Sequence, residues 1–377
     1  LGLTDIHITG YRSVRTIHMP VRQLSVLVGA NGVGKTNLYR ALELVRHAAT
    51  GELTQTIMRE GGLASAMWAG ERRAHEAPRI HLKVDLDGVI EDAEFSPSYE
   101  VEIGFGDSKY QAVFADEPQI KSETLSLTHG RTKLALMERK GEACWIRDEQ
   151  GRRRQLDDTL LASETALSAI RGAIPEIDAV RYMLTNWRFY HGFRTDAGSP
   201  LRQPAHAITS PMLDADGSNL AAVFATLAHI RADTTDLSAA VEHAFPGTKL
   251  NLPYPGTTAS FSLTYPDFPY REFGATELSD GTLQFLALMG ALLAYRLPPL
   301  IALNEPETSL HPDLLPALAR IIAKAAERTQ VWVVTHSQPL ADALKQETGI
   351  FPRRVVRQHG GTWIEGLRQF GDFDDED

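Results

Sequence analysis

The chain has 377 residues, with 48 acidic and 38 basic side chains and a formal net charge of −10. Hydrophobic residues make up 43% and charged residues 23%, enough apolar material for a sizeable core and too much for a largely disordered chain. A single cysteine, Cys144, excludes an internal disulfide and a cysteine-built metal cage, and the acidic balance excludes blanket coating of nucleic acid, though not a local basic groove.

The opening residues alternate in hydrophobicity. Ile6, Ile8, Val14 and Ile17, then Leu24, Val26 and Val28, predict strands. The second run ends in a glycine-rich turn over residues 29–34, and a helical pattern follows from 35 to about 49. Residues 79–137 and 143–147 again read as short strands punctuated by Gly and Asp, the signature of hairpins. From 156 to about 184 the composition is rich in Ala and Leu and predicts helix; residues 192–216 are rich in Gly, Pro and Ser. Further helices are expected near 220–230 and 236–244, and short strands such as 260–264 close a stretch of Pro and aromatics.

The last hundred residues carry two purely apolar runs, 300–303 and 331–334, between helices expected at 281–295, 312–328 and 339–345. Apolar strands alternating with helices imply a parallel sheet covered on both faces. The acidic tail, 372–377, reads as disordered. The longest apolar run, about 285–295, falls far short of the ~20 residues of a spanning helix, and the first ten residues do not resemble a signal peptide. The reading is a cytoplasmic protein with no membrane partner.

Four runs carry chemistry. Gly29-Ala30-Asn31-Gly32-Val33-Gly34-Lys35-Thr36 fits G-x-x-x-x-G-K-[ST] in full and lies between a strand and a helix. Backbone N–H groups and the helix N-terminus would cradle phosphates, Lys35 would reach the β- and γ-phosphates, and the Thr36 hydroxyl would ligate Mg²⁺. Asn31, Gly32, Val33, Gly34 and Asn37 complete this nucleotide-binding set. Leu300-Ile301-Ala302-Leu303-Asn304-Glu305-Pro306 places polar groups at the carboxyl end of a buried strand, where α/β sheets bind ligands. Glu305 is the candidate base for an attacking water. Thr335-His336-Ser337 follows the next buried strand; His336 is either structural or a switch contacting the γ-phosphate. Glu277-Leu278-Ser279-Asp280-Gly281-Thr282 precedes a helix, so Ser279 or Asp280 is an N-cap, and a capped N-terminus is also an anion site.

In this order the four runs resemble the ABC-type ATPase heads of the RecF, SMC and OLD-nuclease superfamily. Glu277 to Thr282 looks like that family's LSGGQ signature, and Glu305-Pro306-Glu307-Thr308-Ser309-Leu310-His311-Pro312 like its Walker B element and D-loop. Ile8-Thr9-Gly10-Tyr11-Arg12-Ser13-Val14-Arg15 resembles the start of such heads. The resemblance implies an α/β P-loop NTPase with a parallel core sheet, an antiparallel β lobe and an inserted helical lobe. It divides the chain into an N-terminal part of the head (1–150), a helical insert (151–245) and a C-terminal part (246–377). It also implies an ATP-dependent homodimer in which Ser279 and Gly281 act on the partner's nucleotide, with Arg12 on a phosphate. DNA and a separate effector protein are the expected partners.

The sequence departs from that pattern at two positions. Asn304 stands where Asp is usual and removes a negative charge beside Mg²⁺, which predicts slow hydrolysis. Asp280 stands where Gly is usual and is expected to bring a negative charge near the phosphates. The Q-loop glutamine is open among Gln55, Gln111, Gln119 and Gln203. Residues 181–202 interleave Arg with aromatics, which suits nucleic acid; the favoured reading is core packing of Trp187 and Phe189 with the arginines paired to acidic neighbours. Arg152 to Arg154, with Arg353, Arg354 and Arg357, form a weaker basic track. Two rival functions stay open: an ATP-gated scaffold with little hydrolysis, and a transporter's ATPase subunit.

Overall fold

A computed structural model describes residues 2–72, 76–90, 93–106, 114, 116–129, 132–148, 150–156, 160–172, 174–368 and 371–374. The chain forms two compact units. The first comprises Leu1–Arg22, Ala30–Trp187 and Arg354–Asp377; the second comprises Gln23–Gly29 and Arg188–Arg353. Residues 151–245 are shared, passing from the first unit to the second after Trp187.

The first unit holds an eight-stranded antiparallel sheet. Its strands are β1 (Gly2–Tyr11), β2 (Val14–Pro20), β4 (Arg79–Ile90), β5 (Ala93–Gly104), β6 (Gln119–His129), β7 (Thr132–Lys140), β8 (Ala143–Arg147) and β9 (Arg153–Gln155). They pair in the order β2-β1-β4-β5-β6-β7-β8-β9. Alternation decides which side chains go inward: Ile80, Leu82, Val84 and Leu86 of β4 are buried, as are Tyr99, Val101 and Ile103 of β5. Helix α1 (Lys35–Thr50) starts after Gly34 and stops at Gly51, both left-handed. Its Leu38, Leu42 and Val45 recur at helical spacing and are buried, and it packs on α2 (Leu53–Arg59), α4 (Ala166–Ala169) and α5 (Pro175–Thr185). A short α3 (Leu63–Ala66) and the hairpin of β18 (Arg353–Gln358) with β19 (Gly361–Ile364) complete this unit.

The continuous helix expected over 156–184 is replaced by α4 and α5. Between them the chain turns at Gly172, whose φ is 66°. Glu123 of β6 is fully buried and accepts from the N–H groups of Ala166 (2.6 Å) and Leu167 (2.9 Å) and from the Tyr99 hydroxyl (2.9 Å). It thereby caps the start of α4, while Pro175 restarts the chain as the first residue of α5. Burial pushes the Glu123 carboxyl up, against the pull of those donors. The buried Arg139 beside it donates to the carbonyls of Gly141 (2.7 Å), Leu161 (2.8 Å) and Glu164. The acidic tail is also more ordered than its composition predicts. Leu367 and Phe373 are buried and bridge, and Asp374 accepts from Arg368 at 2.7 Å. Positions 375–377 lie outside the described residues.

In the second unit four parallel strands run in the order β10 (Arg188–Tyr190), β16 (Leu300–Asn304), β17 (Gln330–Thr335) and β3 (Leu24–Val28). All of β3 and all but the last residue of β16 are buried. Helix α8 (Asp280–Leu293) is buried at every residue from Thr282 to Leu293, so it is apolar all round rather than striped. Helices α6 (Leu220–Ala225), α7 (Thr235–Ala244) and α9 (Leu315–Ala326) share this core. Helix α10 (Gln338–Thr348) adds Leu340 and Leu344. Two small sheets, β11 (Ala205–His206) with β13 (Thr258–Ala259) and β12 (Lys249–Asn251) with β14 (Ser262–Thr264) and β15 (Phe273–Gly274), lie in the same unit. The parallel core sheet and antiparallel lobe inferred from sequence are both present. No helix among the described residues is long and apolar enough to cross a membrane.

Candidate functional site

The chemistry-bearing residues fall into two groups, one in each unit. The first group is the phosphate loop. β3 delivers the chain to Gly29, whose N–H donates to the Thr335 carbonyl (3.3 Å) within the second unit; the loop proper begins one residue later. Asn31 and Gly32 are exposed, and Gly32 and Gly34 have φ of 81° and 99°, a region that favours glycine. Gly34 has a second reason to lack a side chain. A Cβ there would lie 1.9 Å from Thr362 Oγ1 and 2.5 Å from Ser13 Oγ. Lys35 is buried, and its ammonium donates to the Ala30 carbonyl at 2.7 Å.

A relay of neutral groups fastens this loop. Asn37 Nδ2 donates to Ser13 Oγ (2.6 Å), and Ser13 Oγ lies 2.6 Å from Thr362 Oγ1. The Thr362 hydroxyl donates to the Val33 carbonyl (2.8 Å), so its proton is committed and Ser13 must be the donor to Thr362. The Thr362 N–H also donates to the Ser13 carbonyl at 2.7 Å. Thr36, the expected hydroxyl ligand, is half-buried in the first turn of α1. Arg12 has φ 50°, and its Nη2 donates to Glu60 Oε2 at 2.7 Å. The Tyr11 hydroxyl donates to the same oxygen, and Arg40 lies 3.5 Å from Glu60 Oε1. Burial beside Glu60 pushes the Tyr11 hydroxyl well up, keeping it a donor. The guanidinium expected on a phosphate is thus paired within its own unit.

The second group gathers at the carboxyl ends of β16 and β17. Asn304 ends β16, and its Oδ1 is buried without a partner. Glu305 has φ 49°, unusual for a residue with a side chain, and its N–H donates to the Val334 carbonyl at 2.7 Å. His336 Nδ1 lies 3.5 Å from Glu305 Oε1 and 3.1 Å from Glu307 Oε1. Glu307 is only 8% exposed. Its Oε1 also accepts from the Thr335 hydroxyl (2.5 Å) and from the N–H groups of His336 and Ser337 (3.2 Å each). Sequence reasoning placed Glu307 in a motif but gave it no role. The signal was there in the second acidic residue of Glu305-Pro306-Glu307, yet its partner tripeptide lies in another strand.

The signature run sits at the start of α8. Ser279 is its N-cap and accepts from the Thr282 N–H at 3.2 Å. Gly281 faces the D-loop, and a Cβ on it would meet the Ser309 carbonyl at 2.8 Å. The charge expected from Asp280 is compensated, because Arg202 Nη2 donates to its carboxylate at 2.9 Å. Arg202, its side chain 11% exposed, also donates to the carbonyls of Ala275, Thr276 and Leu278 and to that of Thr195. It splints the loop leading into the signature, a role the sequence did not reveal. The rest of the Arg/aromatic segment follows the packing reading: Trp187 and Phe189 are buried, Arg181 pairs with Asp178, and Arg194 pairs with Asp196. Among the glutamine candidates, Gln55 is exposed on α2, Gln119 accepts from Lys121 and Gln203 lines a surface cavity of about 380 Å³; position 111 lies outside the described residues.

Comparison with known proteins agrees with this architecture. A family model described as "AAA domain, putative AbiEii toxin, Type IV TA system" matches residues 181–342. Among solved structures, an SMC head bound to the C-winged helix domain of ScpA aligns with 98% of this chain and 99% of its own, at TM-score 0.59 and 14% identity. An SMC head domain from Pyrococcus furiosus, bound to the C-terminal domain of ScpA, aligns with 96% of this chain and 95% of its own, at TM-score 0.55 and 13% identity. A third, from Pyrococcus yayanosii, gives TM-score 0.53 at 11% identity and 97% coverage of both chains. No curated protein matches by sequence. The chain has the fold of an SMC head domain over nearly its whole length.

Proposed function

We propose that this chain binds ATP with Mg²⁺, dimerises head to head on ATP, and hydrolyses it slowly, acting on DNA or through a partner effector. What carries the reading is the glycine-specified, helix-opening phosphate loop in a chain whose strand-end carboxylate, Glu305, stands beside His336. In this mechanism Lys35 leaves the Ala30 carbonyl for the phosphates, and the N–H groups at the start of α1 cradle them. The Thr36 hydroxyl and the Asn304 carbonyl oxygen are each oxygen donors of the kind a hard cation takes, and Asn304 Oδ1 is buried with no partner among the described residues. Mg²⁺, when bound, would neutralise charge building on the phosphate oxygens. Glu305 takes a proton from the water that attacks the γ-phosphorus as the bond to the bridging oxygen breaks. His336 turns its second nitrogen to the γ-phosphate. Ser279, at the N-terminus of α8, would contact the nucleotide held by a second copy of the chain.

The step to DNA repair or anti-phage defence rests on the family resemblance, and the toxin named in the matched family's description favours defence. Steady-state ATP hydrolysis with and without linear duplex DNA, beside Glu305→Gln, tests the reading. Turnover that rises with DNA and falls at least about 100-fold in the variant, with ATP affinity kept, is expected; a variant as active as the parent overturns the role of Glu305. Light scattering of Ser279→Arg with ATP is expected to give a monomer that still binds nucleotide.

A second reading, an ATP-gated scaffold that barely hydrolyses, is favoured by Asn304. Losing a charge-assisted contact costs roughly 1.5–3 kcal/mol, a factor of about 10–100 in turnover. Under this reading Asn304→Asp raises turnover from near zero.

A further inference from the structure

Glu307 makes more contacts than a strand-end acid needs. A carboxylate taken out of water must be compensated by donors. Here one oxygen receives all of them: the Thr335 hydroxyl at 2.5 Å and the N–H groups of His336 and Ser337 at 3.2 Å, with the ring Nδ1 of His336 lying 3.1 Å from the same oxygen. Every donor comes from the tripeptide that ends β17 and opens α10. The turn has its own support without the charge, since the Ser337 N–H also donates to Thr335 Oγ1 (2.9 Å) and the Ser337 hydroxyl caps α10 at Leu340. What the turn cannot supply is an orientation for the imidazole.

The carboxylate supplies it. Two acidic oxygens, from Glu307 at 3.1 Å and Glu305 at 3.5 Å, face the same ring nitrogen. Two negative charges on that side favour the proton on Nδ1, which leaves Nε2 at the other edge of a ring that is 43% exposed. The nearer oxygen belongs to the residue not assigned to the water. Were Glu307 absent, Glu305 would be the carboxylate left for Nδ1–H among the described residues, and the histidine would compete for the lone pairs that the water needs.

We infer that Glu307 is a positioning residue: it holds His336 as the Nδ1–H tautomer with Nε2 outward, and it keeps the histidine off Glu305. The role in turnover rests on the ATPase reading above; the tautomer does not. The test is Glu307→Gln, which keeps volume and one acceptor oxygen, with the thermal melt as the check on folding.

Two measurements are made. Nitrogen-15 NMR of the histidine rings, assigned with His336→Ala, is expected to show a protonated Nδ1 at His336 in the parent and a tautomer mixture in Glu307→Gln. Steady-state kinetics are expected to show kcat lowered by about tenfold or more with KM for ATP within about twofold. In that background His336→Ala should cost little further, because both changes remove one device. An unchanged tautomer, or a kcat equal to the parent's in an active enzyme, overturns the inference and leaves the ATPase reading intact. A parent with no turnover but the expected tautomer shift sinks hydrolysis and keeps the positioning role of Glu307. Should Glu307→Gln melt, Thr335→Val, which removes one donor to the same oxygen, is expected to shift the tautomer in the same direction.

Discussion

The phosphate loop and the strand-end cluster solve the same problem, holding polar groups still, with opposite chemistry. The loop is held by hydroxyls, an amide and backbone carbonyls, from Asn37 through Ser13 and Thr362 to Val33, with no formal charge in the relay. The cluster is held by a buried carboxylate, Glu307, on one oxygen of which three donors converge beside the His336 ring nitrogen. A neutral relay fixes shape and leaves Lys35 as the buried cation of the loop, the group that a phosphate must attract. A buried charge fixes a proton instead, because it decides which nitrogen of the imidazole carries it. Binding is thus assigned to geometry and the chemical step to electrostatics.

Substitutions that break one side and spare the other sharpen this contrast. The largest expected effect is on the loop's charge: Lys35→Ala should weaken ATP binding by about 100-fold or more in isothermal titration, and undiminished affinity would remove the phosphate-loop assignment. Next come the glycines. Gly34→Ala puts a methyl group 1.9 Å from Thr362 Oγ1 at a φ of 99°, and should cost about 3 kcal/mol, read as a lower melting temperature. Gly32→Ala meets nothing within 4 Å, so it pays only the left-handed backbone penalty of about 1 kcal/mol. Equal melts for the two would show that the close approach of Thr362 does not matter. The smallest effect is expected from Thr362→Val, which keeps the shape and removes the hydroxyl's bonds to Val33 and Ser13. Two net hydrogen bonds of about 0.5 kcal/mol each correspond to roughly fivefold weaker ATP binding, with kcat unchanged.

What the sequence made legible follows from how far apart the interacting residues lie. The phosphate loop is eight consecutive residues, and its strand and helix flanks were read correctly. The buried strands β16 and β17 announce themselves by composition, and Ser279 as an N-cap is a local matter. The devices that position these groups are long-range. Glu307 works on residues 28 to 30 positions away, Arg202 reaches the signature across 78, and Glu123 caps α4 from 43 and 44 positions upstream. No periodicity encodes such pairings. Glu123 does leave a trace, an acid on the inward face of an alternating strand, and in hindsight an inward acid demands a donor nearby. Arg202, which donates to Asp280, was missed for the same reason.

The fastening of the loop also has a schedule. Val33 is separated from Thr362 by 329 positions, and Ser13 from Thr362 by 349. On the ribosome the phosphate loop emerges early, while the strand that clasps it is made only after some three hundred further residues. Closing so wide an interval is among the slower events a folding chain undertakes. A nascent chain therefore carries the complete nucleotide motif long before the motif has its clasp. The full fastening of the loop is a property of the finished head.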